Sequence, residues 1–148
     1  MTITSTAFQH NGYIPRKYTC DDANINPPLT FSEIPEDARS LVLIMDDPDA
    51  PSGQFTHWLL YDISPATLQI AENAAPETGT IGMNDYGNIG YGGPCPPQGT
   101  HRYVFKLYAL QSVLNLPEAA SRQEIETTTQ GQVIETTELI GLYQRSSK

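Results

Sequence analysis

The 148-residue sequence predicts a mainly β fold, a sandwich of two antiparallel sheets with one short helix in its C-terminal region. Two observations carry this. Segments with the two-residue alternation or branched and aromatic content of strands recur along the chain, with turn-forming residues between them. Only one late segment carries a helix-start signal.

Each element follows from its residues. Thr2 to Gln9 alternates weakly, and NPPLTFSEIP, from Asn26 to Pro35, reads as a short strand bounded by prolines. LVLIMDDPDAP, from Leu41 to Pro51, is a buried strand that ends abruptly in a carboxylate-proline turn. FTHWLLYDI, from Phe55 to Ile63, is another, rich in aromatic and branched residues, and the short connection between the two predicts a hairpin. From Ser64 to Thr100 no strong periodicity is present; a loop region of that length is functional or contains short strands that alternation does not reveal. Within it, Gly90 to Gly99 carries four glycines and three prolines, which excludes both helix and central-strand pairing. Strand character returns abruptly: His101, Tyr103, Phe105 and Leu107 fall on one face, Arg102, Val104, Lys106 and Tyr108 on the other. Ser121 and Glu124 form an S-x-x-E capping box that opens a helix over about SRQEIETTTQ. The helix should stop near Gly131, before the strand-like VIETTELIGLY. Nothing marks a repeat, a linker or a second domain, so one domain over residues 1–148 is expected.

Composition narrows the function. Eight basic against seventeen acidic side chains give a net charge of −9, which opposes sequence-independent binding to nucleic acid or to anionic lipid. The longest aliphatic run, Leu41 to Met45, is far short of a membrane span, and the N-terminus lacks the pattern of a signal peptide. A soluble, cytoplasmic protein is expected. Cys20 and Cys95 stand far apart without a CxxC and are either free thiols or a single bridge.

His57 alternates with Phe55, Leu59 and Tyr61, and His101 with Tyr103 and Phe105, so each histidine opens an inward-looking apolar stripe next to a loop, near an end of the sandwich. Either ring alone reads as a satisfied structural residue; the two together point to a site. DDPDAP, Asp46 to Pro51, is a turn by its Asp and Pro content, and a carboxylate at a strand end can also orient an imidazole. Familiar motifs fail. GYGGPC has Cys95 where a dinucleotide loop needs its third glycine, no Gly-Lys-Ser/Thr follows, and DPDAPSG lacks the oxygen ligand and glycine an EF-hand loop needs. There is no GxSxG elbow, and no nucleophile is paired with a histidine. Asp47, Asp49, His57 and His101 could ligate a divalent metal, but their spacing matches no metal motif, and no metal or cofactor is expected.

LVLIMDDPDAPSGQFTHWLLYDI followed by GYGGPCPPQGTHRYVFKLYAL resembles the two signature regions of the phosphatidylethanolamine-binding protein family, in its bacterial and archaeal, Raf-kinase-inhibitor-like branch. YTCDDANINPPL resembles that branch's N-terminal segment, with YTCDD where the branch often has YTCDG, and ELIGLYQR resembles its closing strand. The resemblance implies a Greek-key β-sandwich with a small anion pocket at one end, formed by Asp47, His57, the loop with Gly93, Pro94, Pro96 and Pro97, then His101 and Tyr103. On this basis His101 and Tyr103 donate to a phosphate oxygen, Asp47 holds an imidazole, Asp49 braces its own turn, and Arg102, on the opposite strand face, makes a structural ion pair. The glycines let backbone N–H groups approach the anion, and the prolines stiffen the loop. The expected partner is a small anion such as phosphate or a phosphoethanolamine-like head group, bound without catalysis. A hydrolase or transferase using His57 and His101 as acid and base is the alternative. Inhibition of a kinase or serine protease, and a homodimer, come with the resemblance alone. It also places Cys20 and Cys95 near each other, although a cytoplasmic setting favours thiols.

Overall fold

The structure is a computed structural model that describes residues 1–145. Its strands are β1 (Thr2–Thr4), β2 (Gly12–Tyr13), β3 (Leu29–Ser32), β4 (Ser40–Asp47), β5 (Phe55–Ile63), β6 (Gln69–Ile70), β7 (Thr80–Ile81), β8 (His101–Leu110) and β9 (Val133–Tyr143). They form a three-stranded sheet in the order β1-β3-β6 and a six-stranded sheet in the order β2-β9-β8-β4-β5-β7. The mainly β, two-sheet fold expected from the sequence is the one observed. One pairing differs: β2, too short to announce itself by alternation, lies parallel to β9. The aperiodic stretch after Ser64 does contain short strands, β6 and β7, each two residues long.

Every residue of β4 is buried, because the large sheet is covered on both faces. Leu41, Leu43 and Met45 face one side with Trp58, Leu60, Phe105 and Leu107, and the small sheet closes that side through Ile3, Leu29, Phe31 and Ile70. Val42 and Ile44 face the other side with Leu59 and Tyr61, covered by Leu114, Ala120 and Ile125. Ile125 belongs to α1 (Arg122–Thr129), whose start is the capping box expected: Ser121 Oγ accepts from Glu124 N at 3.1 Å, and Glu124 Oε1 accepts from Ser121 N at 3.0 Å. Ile125 is the buried residue of the helix and its apolar tie to the sheet, worth about 1.5–3 kcal/mol of burial. No helix among the described residues is long and apolar enough to cross a membrane.

Candidate functional site

The β4–β5 hairpin contains the feature that builds the site. Met45 pairs with Trp58 and Asp46 with Thr56, so His57 is the extra residue of a β-bulge. Strict alternation would leave His57 on the face of Leu59 and Tyr61, under the helix. The bulge reverses the parity and turns its ring toward Tyr103, at 5.3 Å between centroids, on the opposite face. The inward stripe read from the sequence is thus correct for Leu59 and Tyr61 and broken at His57. Thr56, displaced to the helix side, joins Asp46 and Arg122 in a buried polar cluster.

His57 is clasped by one residue of the glycine-rich loop. Gly92 N donates to the His57 carbonyl at 3.0 Å, and the ring Nδ1 donates to the Gly92 carbonyl at 2.6 Å. Burial among aromatic rings lowers the His57 pKa below the ordinary histidine value, despite the carboxylates of Asp47, Asp46 and Asp85. His101, at the first position of β8, donates Nδ1 to Asp47 Oδ2 at 2.6 Å, and Asp47 Oδ1 accepts from Asp49 N at 2.8 Å. Neither histidine Nε2 has a hydrogen-bond partner among the described residues.

Between these rings lies a cavity of about 230 Å³ lined by Asp47, His57, His101, Phe55, Tyr86 and Pro97, with Ala50, Pro51, Cys95 and Pro96 completing its wall. A larger hollow, about 530 Å³, lies along residues 64–78, but Glu77 is its sole ionisable lining group. Convergent titratable groups distinguish the smaller cavity.

Of the expected site residues, Asp47, His57, Pro96, Pro97 and His101 line the cavity, and Gly93, Pro94 and Tyr103 do not. Tyr103 is fully buried beneath the two imidazoles, and its hydroxyl is the buried side-chain polar atom left without a hydrogen-bond partner among the described residues. Burial, then the nearby Asp47 charge, raises its pKa well above the ordinary tyrosine value, so it remains a neutral donor. Gly93 turns its N–H away from the cavity, to Asn24 Oδ1 at 2.8 Å, and its carbonyl accepts from Tyr86 Oη at 2.9 Å. A Cβ on Gly93 would sit 2.3 Å from the Tyr18 carbonyl oxygen, so glycine is needed for close packing against the 18–24 segment, not for reaching a ligand. The Pro94 carbonyl accepts from Cys20 N at 3.1 Å. Asp49 clamps Arg102 through its N–H, Nε and Nη2, at 2.8–3.0 Å, rather than bracing its own turn; that bond comes from Asp47. Arg102 makes the ion pair expected of it, on the outside.

Cys20 and Cys95 form a disulfide with their Cα atoms 5.5 Å apart, which corrects the preference for thiols. Tyr91 Oη to the Tyr18 carbonyl, Gly93 N to Asn24 and Cys20 N to Pro94 already hold the two segments together, so the sulfurs meet. Phe55 and Tyr86 also line the cavity and are not among the site residues expected from the sequence. Tyr86 belongs to the aperiodic stretch, where Asn84 Oδ1 organises the turn by accepting from Tyr86 N and Asn88 N; N-D-Y-G-N was the available signal. Among the described residues, no cluster of three or more His, Cys, Asp or Glu side chains could hold a metal ion.

A family model described as phosphatidylethanolamine-binding protein matches residues 4–144. The chain is 46% identical over 151 residues to a UPF0098 protein of Methanothermobacter thermautotrophicus, covering 98% of this chain and 99% of the relative. It is 42% identical to the solved homologue of phosphatidylethanolamine-binding protein CT736 from Chlamydia trachomatis, with a TM-score of 0.93 over 97% of both chains. Escherichia coli YbcL, described as a new member of the mammalian PEBP family, superposes with a TM-score of 0.91 over 98% of both chains at 26% identity.

Proposed function

Because the chain belongs to the phosphatidylethanolamine-binding protein family, we propose that it binds a small anion, a phosphate monoester or phospholipid head group, in the cavity between Asp47, His57 and His101. One observation carries the proposal: both Nδ1 atoms are fixed by protein acceptors, which leaves two preset Nε2 atoms on a small cavity otherwise walled by proline, alanine and aromatic rings. Groups held in place before binding lose little freedom when a ligand arrives. His101 donates to the anion, Asp47 stabilises the imidazolium, and Pro96 and Pro97 form a stiff wall. Tyr103 supports the rings from below, and Asp49 fixes the end of β8 through Arg102.

Calorimetric titration with phosphoethanolamine, on the unaltered protein and on His101→Ala, tests this. The substitution removes a charge-assisted hydrogen bond, on the order of 1.5–3 kcal/mol, and equal binding by both proteins overturns the assignment.

The paired imidazoles also favour a second role, a hydrolase or phosphoryl or acyl transferase with His57 and His101 as base and acid. Against it, no serine, threonine, lysine or free cysteine lines the cavity among the described residues. Turnover of p-nitrophenyl phosphate or acetate that His57→Ala abolishes would establish it. Inhibition of a kinase or protease by contact, and a homodimer, are proposed on family membership alone. Inhibition assays against panels of both enzyme classes test the first, and a monomer mass by light scattering at high concentration overturns the second. A cytoplasmic location requires a cytosol that tolerates the Cys20–Cys95 disulfide, which cell fractionation decides.

A further inference from the structure

We infer that the cavity selects an oxyanion that carries a proton: a phosphate monoester in its monoanionic form, in preference to the dianion or to a sulfate monoester. This rests on the anion-binding proposal above and specifies which ionic form is bound.

A carbonyl oxygen can only accept, so the Gly92 carbonyl fixes the proton of neutral His57 on Nδ1. The reciprocal bond from Gly92 N to the His57 carbonyl prevents the pair from drifting apart. Nε2 of the neutral ring therefore offers the cavity a lone pair and no hydrogen. A second proton on His57 is favoured first by the bond to the Gly92 carbonyl, then by Asp47 and Asp46 of β4 and by Asp85 of the 82–92 loop. It is opposed by burial against Phe55, Tyr86 and Tyr103, whose ring centroids stand 4.9, 5.6 and 5.3 Å away. Burial wins, and the His57 pKa lies below its ordinary value.

His101 differs. Its Nδ1–H faces the Asp47 carboxylate, so a second proton on Nε2 makes an ion pair rather than an isolated buried charge. Among the described residues no lysine or arginine lines the cavity; the Tyr86 hydroxyl donates to the Gly93 carbonyl, Cys95 is tied up in the disulfide, and Ala50, Pro51, Phe55, Pro96 and Pro97 carry no side-chain donor. Arg102 is held outside by Asp49. With a proton on His101 Nε2 beside Asp47, the site presents one donor, and the neutral His57 ring presents one bare acceptor. A phosphate dianion would place an oxygen lone pair against His57 Nε2. A P–OH group instead donates to it while another oxygen accepts from His101 Nε2–H. A sulfate monoester has the same tetrahedral oxygens and a single negative charge but no proton to donate.

Titration calorimetry at pH 6 with methyl phosphate and with methyl sulfate separates these cases. Methyl phosphate should bind at least about tenfold more tightly, the effect of one hydrogen bond that involves a charged group. Equal affinities overturn the donor requirement and leave anion binding standing, whereas failure of both probes to bind overturns anion binding and the inference with it. Nitrogen-15 NMR of the ligand-free protein should find the neutral His57 ring protonated on Nδ1; a neutral ring protonated on Nε2 overturns the inference independently of any ligand.

Discussion

Asp47 and His101 meet at 2.6 Å across a diagonal of the sheet: Asp46 stands opposite Val104, which sets Asp47 opposite Tyr103 and two residues from its partner. The other oxygen of Asp47 is fixed by Asp49 N at the start of the turn, which holds the carboxylate in place. Asp47→Asn keeps the shape and removes the carboxylate charge that faces His101 Nδ1, on which the proposed anion contact of His101 relies. Methyl phosphate affinity at pH 6 should fall by about tenfold or more while the fold is retained. Calorimetry showing unchanged affinity would mean that the carboxylate only positions the ring.

His57 makes stability depend on pH. Its folded pKa is lowered by burial, so between that value and the unfolded value of about 6.5 the unfolded chain binds more protons. The contribution of neutral His57 is therefore complete above about pH 6.5 and is lost as pH falls through the folded pKa, with a slope of at most about 1.4 kcal/mol per pH unit. Urea midpoints at pH 7, 6 and 5 in phosphate-free buffer should decline, and His57→Gln should flatten the decline. A parallel decline in both proteins would assign it to other groups.

The strands that form the frame of the site were legible, because β5 and β9 match FTHWLLYDI and VIETTELIGLY residue for residue and the helix starts at its capping box. Alternation reports local side-chain direction, and these elements obey it over most of their length. It failed where β5 is bulged against β4, at His57 and again between Leu60 and Ile63: nothing in FTHWLLYDI marks either bulge, since a bulge is defined by the partner strand's count. It also failed between residues 64 and 100, where Asn84, Tyr86 and Gly93 form their contacts through turns and long-range bonds that have no period. The loop's glycines suggested a backbone anion cradle, yet close packing against Tyr18 is what requires Gly93.

The Cys20–Cys95 disulfide closes a loop of sequence separation 75 and ties the 18–24 segment to the cavity wall. Replacing both cysteines by serine should destabilise the protein by about 2–4 kcal/mol, chiefly by freeing the unfolded chain. The fold should survive, because Tyr91, Gly93 and Cys20 N still join the same segments. Equilibrium urea unfolding measures the loss, and a change below about 0.5 kcal/mol would show that these bonds alone hold the wall.

Arg102 holds the Asp49 carboxyl down to about 2, through two guanidinium bonds and one from its backbone N–H. A lowered carboxylate pKa contributes stability above the unfolded value of about 3.9, and that contribution is lost as pH falls toward 2. The pair is solvent-accessible, so Arg102→Ala should cost little stability at pH 7 and less again in high salt. Carbon-detected NMR titration should show the Asp49 pKa rising toward its ordinary value in the variant. No movement would mean that the backbone N–H alone holds it down.

Asp46 and Arg122 should behave in the opposite way, because their ion pair is buried beneath the helix start, back to back with the cavity between His57 and His101. Asp46 is 1% exposed and is shared by Arg122 and Thr56. Burial raises its pKa even with the guanidinium in place, and the guanidinium and its hydrogen bond are the largest opposing influences. Arg122→Ala would leave a buried carboxylate without its countercharge, at a cost of about 3–5 kcal/mol at pH 7. That cost should shrink as pH falls toward 5, because a folded carboxyl with a raised pKa takes up a proton before the unfolded one does, and protonation removes the unpaired charge. The Arg122→Ala, Asp46→Asn double variant should recover much of the loss at pH 7, since no charge then remains to be paired. Denaturant unfolding of the three proteins at pH 7 and 5 tests this: a penalty that is the same at both pH values, and unchanged in the double variant, would show that lost packing of the Arg122 stem, not the stranded Asp46 charge, is responsible.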